Sequence, residues 1–508
     1  MSAQRRAIEK LPRHWLDPER ARLHRIGVID VGSNSVRLVV FDGMARSPAY
    51  FYNEKVLCGL GAGLGETGRL SPEGRAKALA ALHRFAALAR QMELSGLIAV
   101  ATAAVREAKD GPAFCDQVEA ETGLQLHVAS GSEEARLAAS GVLLGWPDGD
   151  GLVCDMGGAS MELAQIQRGE IGACATSPLG PLQLADIADD EKRDKAIRKG
   201  VKALKKAVAS STPRLFLVGG SWRAIARLDM ERTGYPLKVL HGYEPPVGQL
   251  METLKWIRSQ DQAQMSAMTG TSTQRLSLIP LASRVLGELL RRIEPEQVAV
   301  SAYGLREGLL YRQMPEAMRL LDPLLEACRH MEEASARFPG FGEALYAWLQ
   351  QLYGDRPPEE QRLILAACYL HDINWRAHPD YRAELCFESV TRANIAGVNH
   401  AERVFLGLAL LNRYKAVAPA EEVRRYGGLL PPERAVEAAV LGRAMRLGSM
   451  LAGPSTGVLE HAKLAVEEGR VVLTLSGLAR AFAGEAVERR LQTLADRLDR
   501  PWEMAIAG

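Results

Sequence analysis

Cysteine is scarce in this chain of 508 residues. There are seven, at positions 58, 115, 154, 174, 328, 368 and 386, and none forms a Cys-x-x-Cys pair. An odd, scattered set excludes a disulfide frame and a cysteine zinc site, and reads as the reduced thiols of a cytoplasmic protein. Long apolar runs are missing as well. No segment reaches the roughly 18 apolar residues of a spanning helix, so no stable membrane insertion is expected. The opening stretch, "MSAQRRAIEKLPRHWLDPERARLHR", lacks an apolar core and is not read as a secretion signal. Charge of one sign is lacking too. Lys and Arg number 63 against 61 Asp and Glu, a net charge of +2. Such balance gives no global pull toward nucleic acid or lipid, so an anionic ligand must be met by local clusters. No low-complexity tract or solenoid repeat appears. What is present, 47% hydrophobic and 24% charged residues, is globular and long enough for about three domains.

The first informative stretch is "VIDVGSNSVRLVV", Val28 to Val40. An apolar strand meets an aspartate and a Gly-Ser-Asn-Ser turn, then resumes. A dinucleotide site would follow such a turn with a helix. Here the residues after Ser35 are β-branched and alternate, which predicts a hairpin turned at Gly32, Ser33, Asn34 and Ser35. Consecutive backbone N–H groups and short hydroxyls suit an anion, although the same residues are ordinary turn chemistry. The pattern returns in "VCDMGGASMELAQI" from Val153. Asp30-x-Gly32-x-x-Ser35-x-x-Leu38 aligns with Asp155-x-Gly157-x-x-Ser160-x-x-Leu163, 125 residues on. Agreement at four spaced positions favours duplication of one α/β unit, with two phosphate hairpins facing across a cleft. The flanking periodicity fits: strands near 26–31, 36–42, 50–57, 97–101 and 125–129 precede a second set near 152–156, 161–167, 171–177 and 214–218. Helices interleave near 72–92, 110–121, 132–144, 190–208, 221–232, 246–260 and 275–292, and a strand and helix close the pair near Gln313.

Several residues could carry chemistry. Arg106, after a strand in "ATAAVREAKDG", has the planar fork that grips phosphate, or is a solvated surface arginine. In "SGSEEARL", Ser130 and Glu133 make a capping box, which explains Glu133 structurally. Glu134 is not needed for that box. It either favours the helix dipole or acts as the general base that orients water toward phosphorus. "LVGGSWRAIA" offers a Gly219-Gly220 turn and a helix opening at Ser221, a third anion loop. Asp30, Asp155 and Glu162 are hard oxygen ligands near these loops, and magnesium takes one or two protein carboxylates plus water and phosphate oxygens.

The stretches "VIDVGSNSVRLVV", "ATAAVREA", "SGSEEARL", "LVCDMGGASMEL", "LVGGSWRAIA" and "VSAYGLREGLLY" occur in the order seen in the exopolyphosphatase and guanosine pentaphosphate phosphohydrolase (Ppx/GppA) family. The resemblance is strong over residues 25–313 and weak beyond. It implies an α/β fold of duplicated actin/sugar kinase/Hsp-seventy-like domains with a C-terminal helical HD-like domain. It also implies Glu134 as catalytic base, Arg106 and the Gly-Ser loops (Gly32, Ser33, Asn34, Ser35; Gly157, Gly158, Ala159, Ser160; Gly219, Gly220, Ser221) on phosphate, and Asp155 and Glu162 on Mg2+, with Asp30 a further candidate metal ligand from its place beside the loops. A homodimer is expected from the resemblance alone. Two positions depart from the family pattern. Gly157-Gly158-Ala159-Ser160-Met161 stands where relatives carry Gly-Gly-Gly-Ser-Thr, and Trp222 follows the Gly-Gly turn in place of a small residue, with the expectation that it narrows the nucleotide side of the cleft.

The expected organisation is therefore an extension over 1–24, α/β domains over 25–146 and 147–313, and a helical domain over 314–508 ending in a short α/β appendage. Within the last, "CYLHDINW" places His371-Asp372 like the doublet of HD-type metal phosphohydrolases. With His330 as the candidate upstream histidine and no convincing partner for the later aspartate, a structural role is the better reading. Lys195, Arg198, Lys199, Lys202, Lys205 and Lys206 form a basic stripe on one helix face, opposite Ile197, Val201, Leu204 and Val208. Lys199, Lys202 and Lys206 are accordingly candidate contacts to a long polyanion. The functional expectation is Mg2+-dependent removal of terminal orthophosphate from inorganic polyphosphate. The alternatives are the same chemistry on guanosine pentaphosphate, yielding the tetraphosphate, and a non-catalytic alarmone or polyphosphate sensor. A sugar kinase lacks a visible sugar-pocket acid, and nucleic acid is not an expected partner.

Overall fold

The structure, a computed structural model, describes residues 25–43, 45–208, 213–271, 273–415, 425–453 and 455–507. The N-terminal extension expected over 1–24 lies outside the described residues. The chain divides into two compact units, Met1–Leu321 and Asp322–Gly508.

The first unit contains two five-stranded sheets. Strands β1 (Ile26–Val31), β2 (Ser35–Phe41), β3 (Tyr50–Leu57), β4 (Gly96–Ala101) and β5 (Leu126–Val128) form the first, ordered β3-β2-β1-β4-β5. Strands β6 (Gly151–Met156), β7 (Met161–Gln167), β8 (Glu170–Ser177), β9 (Arg214–Gly219) and β10 (Gln297–Val300) form the second, ordered β8-β7-β6-β9-β10. The two orders are the same. In each, the first two strands pair antiparallel and the first strand then pairs parallel with the fourth. The duplication read from one spaced motif is therefore a duplication of topology.

Central strands β1 and β6 are buried on both faces, which is why they read as near-continuous apolar runs ending in an aspartate. Helix Pro72–Gln91 opens on Ser71, whose side chain accepts from Gly74 N, with proline at its first position. Helix Gly131–Gly145 carries the capping box in full: Glu133 N donates to Ser130 Oγ at 3.2 Å, and Ser130 N donates to Glu133 Oε2 at 2.8 Å. The expected helix at 275–292 begins later, as Ile279–Ile293, and the helix Gln262–Thr269 was not foreseen.

The unit boundary falls after Leu321, beyond the expected position at 313/314. Buried Arg46 explains the difference. It donates to the carbonyls of Leu144 (2.8 Å), Arg319 (3.2 Å) and Leu321 (2.9 Å), tying the segment after Gln313 to the α/β unit.

The second unit is built of helices Pro323–Ser335, Phe341–Tyr353, Pro358–Leu370, Arg382–Arg392, His400–Tyr414 and Pro432–Ala452. The expected hairpin follows as β11 (Ala462–Glu467) and β12 (Arg470–Leu475), then helix Glu485–Arg497. A last strand, β13 (Trp502–Ile506), pairs parallel with β12. Its five residues alternate too briefly to separate from an irregular tail by pattern alone.

Candidate active site

Both hairpins close alike. Gly32 N donates to Ser35 O at 3.0 Å, and Gly157 N donates to Ser160 O at 3.0 Å. In each turn the carbonyls are claimed from behind. Ser33 O accepts from Gly61 N (2.8 Å), and Asn34 O from Cys58 N (3.0 Å) and Gly59 N (3.1 Å). Gly158 O accepts from Leu182 N (2.9 Å), and Ala159 O from Gly180 N (3.1 Å). With their carbonyls held, the peptide N–H groups of Ser33, Asn34, Gly158 and Ala159 meet no acceptor among the described residues. Such paired free donors form a concavity for an anion. The turns also approach one another: a Cβ on Gly158 would stand 3.4 Å from Ser33 Cβ.

The third loop joins them. Gly219 has a φ of 110°, and a Cβ there would lie 2.8 Å from Asp155 Oδ1 and 2.6 Å from Met156 O, so only glycine fits. Helix Gly220–Arg232 starts beside it without a side-chain cap, leaving its first N–H groups open. Nothing lies within 4 Å of a Cβ placed on Gly220.

Register places the carboxylates. Asp155 is the cross-strand partner of Glu162, so both side chains share a face. Burial drives the Asp155 carboxyl up to about 6, opposed by Arg223 and reinforced by Asp30. Glu162 is driven well above its ordinary value by burial and by the charges of Glu134 and Asp155, although Ser160 and Thr176 hydrogen-bond to it, Thr176 Oγ1 at 3.0 Å from Oε1. Asp30 is also raised by burial. Glu134, only 8% exposed, is pushed up to about 7 by burial, with Asp155 and Asp30 adding to the push and Arg106 opposing it. Arg106 Nη1 donates to the Glu134 carboxylate and, at 2.8 Å, to Ala129 O. The two candidate catalytic residues, 28 positions apart, are thus a direct pair. Glu133, by contrast, points to its capping partners.

These four buried or half-buried carboxylates repel one another, and a hard divalent cation would relieve that repulsion. Asp155 and Glu162 suit Mg2+ as oxygen donors on one face. Among the described residues no three His, Cys, Asp or Glu side chains close into a metal cage, so water and substrate oxygens would complete the shell, as is usual for this ion.

A basic wall was missed by the sequence reading. Asp30 pairs across its hairpin with Arg37, at the place Glu162 holds in the other hairpin. The spacing of seven from aspartate to partner recurs in both motifs and could have revealed it. Burial first, then the neighbouring Arg306 and Arg223, push Arg37 down to about 10. Arg223 donates to Ala302 O at 2.8 Å, and Glu307 between these cations accepts from Tyr50 Oη (2.9 Å) and Gly304 N (2.8 Å).

One expectation is corrected. Trp222 is fully buried in the core under β6 and β9, so it does not narrow the cleft; the adjacent Arg223 takes the cleft side by acting on Asp155. Met161 is likewise core, so its replacement of a hydroxyl residue does not alter the turn itself. The basic helix, Asp190–Val208, buries Ile197, Val201, Leu204 and Val208 and exposes Lys199, Lys202 and Lys206. Their helix borders a pocket of about 690 Å³ lined by Arg193, Arg198, Arg258, Arg284 and Arg291 together with Asp190, Asp194 and Glu288.

The model of the "Ppx/GppA phosphatase family" matches residues 39–317, and that of "Exopolyphosphatase, C-terminal" matches 327–503. The chain belongs to the Ppx/GppA family. Exopolyphosphatase 1 of Mycobacterium bovis is 26% identical over 306 residues, covering 57% of this chain and 88% of that protein. The guanosine-5'-triphosphate,3'-diphosphate pyrophosphatase of Aeromonas salmonicida is 24% identical over 485 residues, 88% of this chain and 91% of the relative. The crystal structure of an exopolyphosphatase from Cytophaga hutchinsonii superposes with a TM-score of 0.52 at 24% identity, covering 57% of this chain and 97% of that one. Relatives in the family thus carry two names, exopolyphosphatase and guanosine-5'-triphosphate,3'-diphosphate pyrophosphatase.

In the second unit the HD-like doublet is committed elsewhere. Asp372 receives two parallel bonds from Arg337, Nε at 2.8 Å and Nη2 at 2.7 Å, and a longer one from Tyr414 Oη at 3.3 Å. Buried His371 places Nδ1 2.8 Å from Cys368 O, and burial with Arg413 beside it lowers its pKa to about 4. His330 is exposed and does not join them. Arginine stands where a metal would be needed.

Proposed function

We propose that this chain is an exopolyphosphatase, releasing terminal orthophosphate from linear inorganic polyphosphate with Mg2+ as cofactor. The observation that carries the reading is the convergence of two carbonyl-anchored N–H turns and an uncapped helix start around a buried Glu134–Arg106 pair. Phosphoryl transfer needs positioning and charge neutralisation more than covalent chemistry. The free N–H groups of Ser33, Asn34, Gly158 and Ala159 hold the terminal phosphates. Glu134, poised near neutrality, accepts the proton of the attacking water, and Arg106 orients the carboxylate and meets developing charge. Bound by Asp155 and Glu162 together with substrate oxygens, Mg2+ would supply charge neutralisation on the phosphates. The exposed lysines Lys199, Lys202 and Lys206 receive the remote part of a long chain, and the working species is a cytoplasmic homodimer.

A second reading is favoured by the wall of Arg37, Arg223 and Arg306, which offers cations beyond those a single terminal phosphate needs. On that reading the substrate is guanosine pentaphosphate. Phosphate release from long polyphosphate, guanosine pentaphosphate and ATP, with and without Mg2+, separates the two. Preference for long polyphosphate supports the first, preference for the guanosine substrate the second, and binding without release from either identifies a sensor.

A further inference from the structure

Three helices of the second unit meet at a knot of arginines. Gly442 sits so close to helix His400–Tyr414 that a Cβ on it would stand 2.3 Å from Ala409 O and 2.9 Å from Arg413 N. The next residue, Arg443, donates Nη1 to Thr493 O at 2.6 Å, fixing helix Glu485–Arg497 to the same place. Arg446 lies one turn beyond Arg443, and Arg490 one turn before Thr493. Arg413, Arg443, Arg446 and Arg490 are thereby gathered at one junction. Arg413 is 8% exposed and stacks on Tyr414 at 4.7 Å. Its Nε, and that of Arg490, are buried without a hydrogen-bond partner among the described residues.

Charge at this junction is not answered internally. Among the described residues Arg413, Arg446 and Arg490 form no ion pair. The acids that act on it are Asp372, which faces Arg413 but is already committed to Arg337, and Asp496, which acts on Arg443. Burial, then Arg490, Arg413 and Arg443, pull Arg446 down to about 10. Gathering like charges in a half-buried place is unfavourable in the bare protein. It becomes favourable when a multiply charged anion sits among them, and planar guanidinium forks match the oxygens of phosphate. A monocarboxylate would leave most of the charge uncompensated.

We propose that this junction is a second oxyanion site, separate from the catalytic residues, which takes a phosphate or diphosphate group on Arg446, Arg490 and Arg413. The test is hydrogen exchange on the full chain carrying Glu134→Gln to stop turnover, with inorganic pyrophosphate as probe and GDP in a parallel arm. Pyrophosphate should slow exchange in 432–452 and 485–497, and Arg446→Gln with Arg490→Gln should raise the concentration needed by more than about tenfold, the least that losing even one of the two charge-assisted contacts would give. Protection in the catalytic hairpins should persist in that variant, which controls for folding. Equal protection by GDP assigns recognition to the phosphates of either source, and stronger protection by GDP assigns the source to a nucleotide; both support the site. No protection of these helices by either probe, or equal protection in the variant, overturns it. A second measurement needs no ligand assignment. In chloride alone Arg446→Gln should melt no lower than the parent, because it relieves repulsion, whereas a merely structural arginine would be missed in any buffer.

Discussion

Replacing Glu134 by glutamine removes a charge that the fold holds at a cost, and the structure sets the size of that cost. The carboxyl rises from an ordinary 4.5 to about 7, which at about 1.4 kcal/mol per pH unit is roughly 3.5 kcal/mol. At 8% exposure solvent screening does not cancel it. Because the folded value is raised, this stability is fully present below the unfolded value and is lost as pH rises through about 7. Glutamine cannot ionise and loses nothing over that range. It does leave Arg106 without its carboxylate, but arginine stays charged throughout, so that penalty is independent of pH. The melting temperature of Glu134→Gln minus that of the parent should therefore climb by roughly 7 °C between about pH 5 and pH 8.5, taking about 2 °C per kcal/mol for a unit of this size. Turnover should fall by about 10²–10⁴-fold, the loss typical of a general base, while substrate binding survives. In the parent, kcat/KM should rise with pH and level off near 7. Differential scanning across pH, with phosphate release measured in parallel, makes the comparison. A flat melting difference would refute the buried carboxylate. Near-parent turnover in Glu134→Gln, with loss in Glu133→Gln, would show that the wrong glutamate was chosen.

Asp155→Asn should lower activity and magnesium dependence together, and full activity on polyphosphate after EDTA treatment would end the metal assignment. Arg37→Ala should cost release from guanosine pentaphosphate more than release from polyphosphate; equal effects on KM for both would place Arg37 on the shared phosphates instead. Lys199→Ala, Lys202→Ala and Lys206→Ala combined should weaken affinity for long polyphosphate and flatten its salt dependence, sparing the guanosine substrate. Unchanged affinity would make that helix plain solvated surface. His371→Ala should leave phosphate release nearly intact. Asp372→Asn should destabilise the second unit by about 1–3 kcal/mol through the arginine left unpaired, read as a lowered unfolding midpoint; a large activity loss in folded His371→Ala would revive a second catalytic centre.

Local pattern alone determined the hairpins, the capping box and the amphipathic basic helix, since each is written in neighbouring residues: glycine at a turn, serine three before glutamate, apolar residues every three or four. The duplication was legible as well, because Asp30 and Asp155 each end an apolar strand buried on both faces. Contacts between distant segments were not legible. The Arg106–Glu134 pair spans two elements, and no spacing rule reports whether a surface-type arginine turns inward. Arg37 stood inside the motif that was read, yet its meaning depended on register across the hairpin, which set it opposite Asp30 as Glu162 is set opposite Asp155. Trp222 and Arg223 are adjacent in sequence, and only the docking of their helix on β6 and β9 decided which entered the core and which met the carboxylates. The HD-like doublet shows the same limit. Its two residues have the right identity, but Arg337, 35 positions away, occupies Asp372, and that occupancy is a fact of packing in three dimensions.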